Sequence, residues 1–228
     1  MADENLHNRS IRSFVRRGGR LTASQRNAIE TCWPLYGVEF QQGMPSLPGG
    51  FDAFMLEIGI GNGDALIHMG SSDPGSLYLG VEVHEPGIGR CLNNIHQQQL
   101  GNIRLIKHDA IEVLEQMIEA SMLDRILLFF PDPWHKKRHH KRRIVNQRFR
   151  DLVYRALKPG GAIHIATDWR DYAESIAEQF LADDRFVNQG NPDGYIEAPE
   201  YRPETRFEQR GLRLGHGVWD LLFAKSSD

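Results

Sequence analysis

Short apolar runs at 54–58, 77–83, 103–106, 125–130 and 162–166, each containing Ile or Val, alternate with longer stretches of mixed polarity. Runs of this length and composition fit strands buried on both faces, and each is followed by enough chain for a helix. Ile144, Val145, Phe149, Leu152, Val153 and Ala156 recur at helical spacing, and Lys158-Pro159-Gly160-Gly161 stops that helix before the next run. Repeated strand and helix predict an α/β fold with a doubly wound, mostly parallel sheet and helices on both faces. Two last strand-like segments, 206–213 and 218–224, are joined by Leu214-Gly215-His216-Gly217, too short for a crossover helix, and predict an antiparallel C-terminal hairpin. Ahead of the first run, the Arg-rich stretch to about Arg26 reads as a mobile basic arm and 43–50 as a turn-rich linker. Residues 1–50 are therefore expected to be arm and linker, and 51–228 a single domain.

The run at 54–58 leads into Glu57-Ile58-Gly59-Ile60-Gly61-Asn62-Gly63. Alternate glycines let backbone N–H groups and a helix start approach a ligand closely. A dinucleotide site prefers Gly-x-Gly-x-x-Gly, but here the third glycine comes one residue early and Asp64 takes its place. Glu57 argues against a pyrophosphate and for a cationic or hydroxyl-bearing ligand. Glu82 falls at the end of the second run, Asp109 after the third and Asp132 after the fourth, so four acids sit at the carboxyl ends of successive strands, where such sheets bind ligands. Together they resemble the site of class I S-adenosylmethionine-dependent methyltransferases. Asp109 on its own equally suits a helix N-cap.

Lys plus Arg number 27 against 30 Asp plus Glu, a net charge of −3 that does not suggest a nucleic-acid binder. Its distribution does: residues 135–150 hold eight Lys or Arg and no acid, leaving a net of −11 elsewhere. This basic segment follows Phe129-Phe130-Pro131-Asp132-Pro133-Trp134, in which prolines on both sides restrict Asp132. The motif is similar to the Asp/Asn-Pro-Pro-aromatic signature of methyltransferases that act on ring or exocyclic nitrogens. The dense cations beside it suit phosphate contacts, and no carboxylate is interleaved with His135, His139 and His140 to favour a metal. Cys32 and Cys91 form neither a Cys-x-x-Cys pair nor a disulfide framework, no apolar run approaches membrane-spanning length, and no signal-like start is seen; a cytoplasmic protein is expected.

The string Phe130-Pro-Asp-Pro-Trp-His-Lys-Lys-Arg-His-His-Lys-Arg-Arg-Ile-Val145, with Ala166-Thr-Asp-Trp169 and Arg206-Phe-Glu-Gln-Arg-Gly211, resembles the bacterial tRNA (guanine-N7-)-methyltransferases of TrmB type. The resemblance extends from Ile11 to Leu221 and implies a Rossmann-like class I methyltransferase fold. It implies that Glu57, the glycines Gly59, Gly61 and Gly63, Glu82, Asp109 and Asp132 hold S-adenosylmethionine, which leaves as S-adenosylhomocysteine, and that Asp132 is also the catalytic position. Lys136, Asp168, Thr205, Arg206, Phe207 and Glu208 would meet the substrate nucleoside, while Arg138, His139, His140, Lys141, Arg142 and Arg143 would contact RNA. The implied substrate is guanine 46 of the tRNA variable loop; no metal, membrane or obligate protein partner is implied.

Guanine N7 carries a lone pair and no proton, so this chemistry needs alignment more than a base, and Asp132 is assigned to orientation and charge balance. Asp168 also suits an N-cap for a helix starting near Trp169, and 191–204 either closes over the base or merely connects. Phe207 and Trp134 are placed equally well in a core or against a base, and Glu208, the resemblance aside, reads as solvent-facing on a strand. Three rivals remain. A methyltransferase for proteins or small molecules has no use for the Lys/Arg segment, a non-catalytic RNA-binding module needs no four acids, and an NAD-dependent oxidoreductase expects the longer glycine spacing.

Overall fold

The computed structural model describes residues 13–14, 19–204, 208 and 217–227. A sheet of nine strands is built from β1 (Gly37–Val38), β2 (Ala53–Ile58), β3 (Ser76–Val81), β4 (Ile103–Ile106), β5 (Leu123–Phe129), β6 (Leu157–Thr167), β7 (Phe186–Asn188), β8 (Tyr195–Ile196) and β9 (Trp219–Lys225). Its order is β1-β4-β3-β2-β5-β6-β9-β7, with β8 also on β9. Strands β1 to β6 pair in parallel, and β9 runs antiparallel to β6, β7 and β8. The order reverses between β2 and β5, so a crevice opens beyond their carboxyl ends.

Strand alternation divides the core into two layers. Leu56, Ile58, Ile126 and Leu128 face α4 (Ala110–Gln116), α5 (Gln147–Ala156) and α6 (Arg170–Leu181), where Phe149, Val153, Tyr172 and Phe180 are fully buried. Leu127 and Phe129 face the opposite layer, with α2 (Asp64–Ser72) and α3 (Glu85–Gln97) supplying Leu66, Ile88, Leu92 and Ile95. Among the described residues no helix is long and apolar enough to cross a membrane.

The mixed sheet agrees with the sequence pattern, and α5 forms where the apolar spacing placed a helix. Lys158 to Gly161 lie within the start of β6, where the pairing with β5 shifts between Leu123 and Arg125 to accommodate them. Of the segment 206–213, only Glu208 is described, and its backbone is helical.

The arm-and-linker expectation for residues 1–50 is corrected over 22–38. Residues Ala23–Tyr36 form a helix, α1, started by a capping box in which the Thr22 side chain accepts from Gln25 N and Thr22 N donates to Gln25 Oε1 at 2.9 Å. β1 then extends the sheet beside β4. Helix α1 buries only Ala28 and Cys32, and it lies so close to α3 that a Cβ on Gly89 would come within 2.8 Å of the Gln25 carbonyl. Gly89→Val should therefore force α1 away and cost about 1–3 kcal/mol, the usual range for overpacking. Thermal denaturation reads this as a lower melting temperature; an unchanged value would mean that α1 does not dock on α3 in solution.

Candidate functional site

The glycine turn leaves β2 with its backbone in the left-handed region: φ is 74° at Gly59, 56° at Gly61 and 80° at Gly63. Nothing lies within 4 Å of where a Cβ on Gly59 or Gly61 would point, whereas one on Gly63 would meet Cys91 Sγ at 2.3 Å. The first two glycines thus leave open space at the strand ends, and the third seats α2 against α3.

Beside them is a cavity of about 220 Å³, walled by Gly59, Glu82, Val83, His108, Ala110, Phe130, Pro131 and Asp132, among others. Glu82 sets its shape. One carboxylate oxygen accepts from Gly61 N at 2.8 Å and the other from Val83 N at 2.7 Å and His84 N at 2.9 Å. Glu57 lies at the end of β2, only 3% exposed, and its Oε2 has no hydrogen-bond partner among the described residues. Burial, reinforced by the charge of Glu82, pushes the Glu57 pKa up to about 8. A buried carboxyl with an oxygen left unpartnered among the described residues, next to such a cavity, is suited to receive a cationic group.

Asp109 caps α4, accepting from Ile111 N at 2.8 Å, and faces a smaller neighbouring cavity of about 90 Å³ that it shares with Ser13, Lys141 and Arg142. Asp132 is exposed at the rim of the larger cavity. Its turn is held in an uncommon conformation, with φ of 52° at Phe130 and 50° at Trp134 on either side of Pro131-Asp132-Pro133. Phe130 N donates to Ala166 O at 2.7 Å, Arg143 Nε to Pro133 O at 2.8 Å, and Trp134 Nε1 to Ser13 O at 3.1 Å.

The basic segment divides into outward and inward groups. Lys136 leads into a 3₁₀ turn, Lys137–Arg142, on which Arg138 and Lys141 are exposed and His139, His140 and Arg142 half-buried. Partial desolvation and the surrounding Arg138, Arg142, Lys136 and Lys141 hold His139 below the usual imidazole range. The Arg142 guanidinium lies 4.2 Å from the Trp134 ring centroid, so that face of Trp134 is occupied by protein. The expectation that Arg143 contacts RNA is corrected: it is 6% exposed, bonded to Pro133 and paired with Asp171 at 2.5 Å.

Asp168 is half-buried after β6 and does not cap α6, whose N-cap is Trp169; Thr167 Oγ1 accepts from Trp169 N instead. The Trp169 ring packs against His135 at 4.1 Å between centroids, joining this loop to the Asp132 turn. Thr205, Arg206 and Phe207 lie outside the described residues. Glu208 departs from the solvent-facing strand expected: it is 8% exposed and paired in bidentate fashion with Arg202. The 191–204 segment is likewise anchored, through Tyr201 and Arg202. Sequence reasoning missed Ser13 and Phe14 in the cavity wall, because they fall within the arginine-rich stretch, and missed Arg202 altogether.

A family model described as "Putative methyltransferase" matches residues 52–221. A curated relative from Alcanivorax borkumensis, a tRNA (guanine-N(7)-)-methyltransferase, is 52% identical over 220 residues, covering 95% of this chain and 92% of its own length. The protein of the same description from Escherichia coli (strain UTI89 / UPEC) is 50% identical over the same shares of both chains. Among solved structures, TrmN from Thermus thermophilus superposes with a TM-score of 0.54 at 15% identity, over 88% of this chain and 48% of that one, a likeness of fold.

Because the folded chain favours protonated Glu57, its contribution to stability is fully present below the ordinary carboxylate range and is lost as pH rises towards 8. Glu57→Gln stays neutral and should gain stability relative to the ligand-free parent as pH is raised from about 5 to about 9. Denaturant titrations across that range measure the difference; a constant difference would mean that Glu57 ionises normally.

Proposed function

Since the chain belongs to the tRNA (guanine-N7-)-methyltransferase family, we propose that it transfers the methyl group of S-adenosylmethionine to N7 of guanine 46 in the tRNA variable loop. The observation that carries the site assignment is the buried Glu57, whose Oε2 has no partner among the described residues, at the end of the strand that leads through Ile58 and Gly59 into a crevice whose outer rim bears Asp132 and whose flank bears exposed cations.

The residues present fit the methyl donor. Glu57 would receive its amino group, becoming ionised as it does so, and the open side of Gly59 and Gly61 would admit its methionine portion. Glu82, already oriented by three backbone N–H groups, keeps one acceptor site, on the oxygen bonded to Gly61 N, for a ribose hydroxyl, and Asp109 would face the adenine side. When bound, S-adenosylmethionine supplies an electrophilic methyl group on a sulfonium.

Guanine N7 attacks with a lone pair, so no side chain has to remove a proton. Asp132 instead orients the base and offsets the positive charge that grows on it, a role for which a turn fixed before reaction is well suited. Alignment of the reacting atoms can supply about 7–11 kcal/mol of barrier lowering. Lys136 and Asp168, with Thr205, Arg206 and Phe207, are assigned to the nucleoside, and Arg138, His139, His140, Lys141 and Arg142 to the RNA backbone. We assign the protein to the cytoplasm on the strength of that substrate.

The test is transfer of labelled methyl to an unmodified tRNA transcript, followed by strand cleavage specific for N7-methylguanine. Label and cleavage in the variable loop, both lost in a guanine-46-to-adenine transcript, are expected; label elsewhere would discard the position. Asp132→Asn should lower kcat by about 10²–10³, the usual effect of losing a preorganised electrostatic group, and wild-type turnover in this variant would remove its assigned role.

The two orientations in the basic segment predict different variants. Lys141→Ala should weaken tRNA binding and reduce the steepness of its salt dependence by about 0.7–0.9 in the log–log slope, one phosphate contact. Arg143→Ala should instead lower the melting temperature. Equal effects of the two on the salt slope would contradict the inward assignment of Arg143.

A further inference from the structure

The Asp132 turn leaves β5 and the Asp168 loop leaves β6, so groups on two separate pieces of chain have to meet one base. Phe130 N, donating to Ala166 O at 2.7 Å, extends the pairing of the two strands by one bond. Among the described residues no backbone hydrogen bond joins the turn to the loop beyond it. Side chains take over there. Arg143 is one link, bonded to Pro133 O on one side and to Asp171 on the other.

A second link starts at Trp134, whose φ of 50° is uncommon for a residue of its size and is held only where the surroundings fix it from several sides. The turn sends successive side chains to different partners. Trp134 goes to the basic segment, with Nε1 on Ser13 O, the Arg142 guanidinium over its ring and His139 edge-on at 6.0 Å. His135 goes the other way and, though exposed, sets its ring 4.1 Å from that of Trp169 at 61° between planes. Trp169 is itself fixed. It is half-buried against the core layer of α5 and α6, and its carbonyl accepts from Tyr172 N at 3.0 Å and Ala173 N at 2.9 Å as α6 begins.

Lys136 follows His135 directly and Asp168 directly precedes Trp169. An ammonium offers only donors and a carboxylate only acceptors, a pair that matches O6 and the N–H groups of guanine when its spacing is held. We propose that His135 and Trp169 are positioning residues for methyl transfer, a ring-on-ring clasp that sets the separation of Lys136 and Asp168 and so the alignment of N7 with the methyl group. This role rests on the function proposed above.

Turnover on an unmodified tRNA transcript tests it, in the full chain and in His135→Ala, His135→Phe, Trp169→Leu and the double variant with His135→Ala and Trp169→Leu. His135→Ala should lower kcat by about tenfold or more, as misplacement of reacting groups does. KM for tRNA and the dissociation constant of S-adenosylmethionine should stay within about threefold of the parent, since the charges that bind both are kept. His135→Phe, which keeps a ring but no imidazole nitrogen, should restore most of the loss. The double variant should be no worse than the poorer single one, because both changes break the same contact. Parent-like kcat in His135→Ala, a loss carried by KM, losses that multiply, or a His135→Phe as poor as His135→Ala would overturn the proposal, the last by assigning the imidazole nitrogens to RNA. Should Trp169→Leu fail to fold, the two His135 variants decide it alone. A parent chain that binds S-adenosylmethionine but leaves tRNA unmethylated would overturn the proposed function instead.

Discussion

The site depends on one carboxylate bonded to three backbone amides. Glu82 stands where β3 ends, and by accepting from Gly61, Val83 and His84 it ties the glycine turn after β2 to the turn that starts α3. Those N–H groups would otherwise be orphaned at the mouth of a cavity, a costly condition away from water. The tie also explains why the packing there tolerates so little. A Cβ on Gly87, in the first turn of α3, would lie 2.0 Å from the Gly61 carbonyl oxygen. The crevice is thus shaped mainly by backbone, and side chains line what the backbone leaves open.

Much of the parallel sheet was legible because its strands are buried on both faces and announce themselves as apolar runs. The acids at their ends were legible too, since topology alone brings successive strand ends to one edge. Helix α1 was not. It buries only Ala28 and Cys32, carries Pro34 in its last turn and has almost no apolar stripe, so its one clear signal was the Thr22–Gln25 capping box, lost among arginines. Strand β1, two residues long, has no periodicity to read.

The charged residues were the least legible. Arg143, Arg202 and Glu208 sit in polar surroundings in sequence and turn inward only because partners arrive from elsewhere: Asp171 for the first, Asp220 for the second. A pattern of polar and apolar positions reports which groups prefer water, not which have found a substitute for it. Asp109 shows the milder form of this limit. Both an N-cap and a ligand contact suited it, and it does cap α4 while keeping a place in a neighbouring cavity wall.

The division of the basic segment has a consequence for how such a protein changes over generations. Arg143 bonds to Pro133 in the Asp132 turn and to Asp171 in α6, whereas Arg138 and Lys141 stand exposed on their own short turn. Mutational drift is therefore cheap at the outer cations and severe at the inner one. The outer charges can be exchanged one at a time with a folded intermediate at every step.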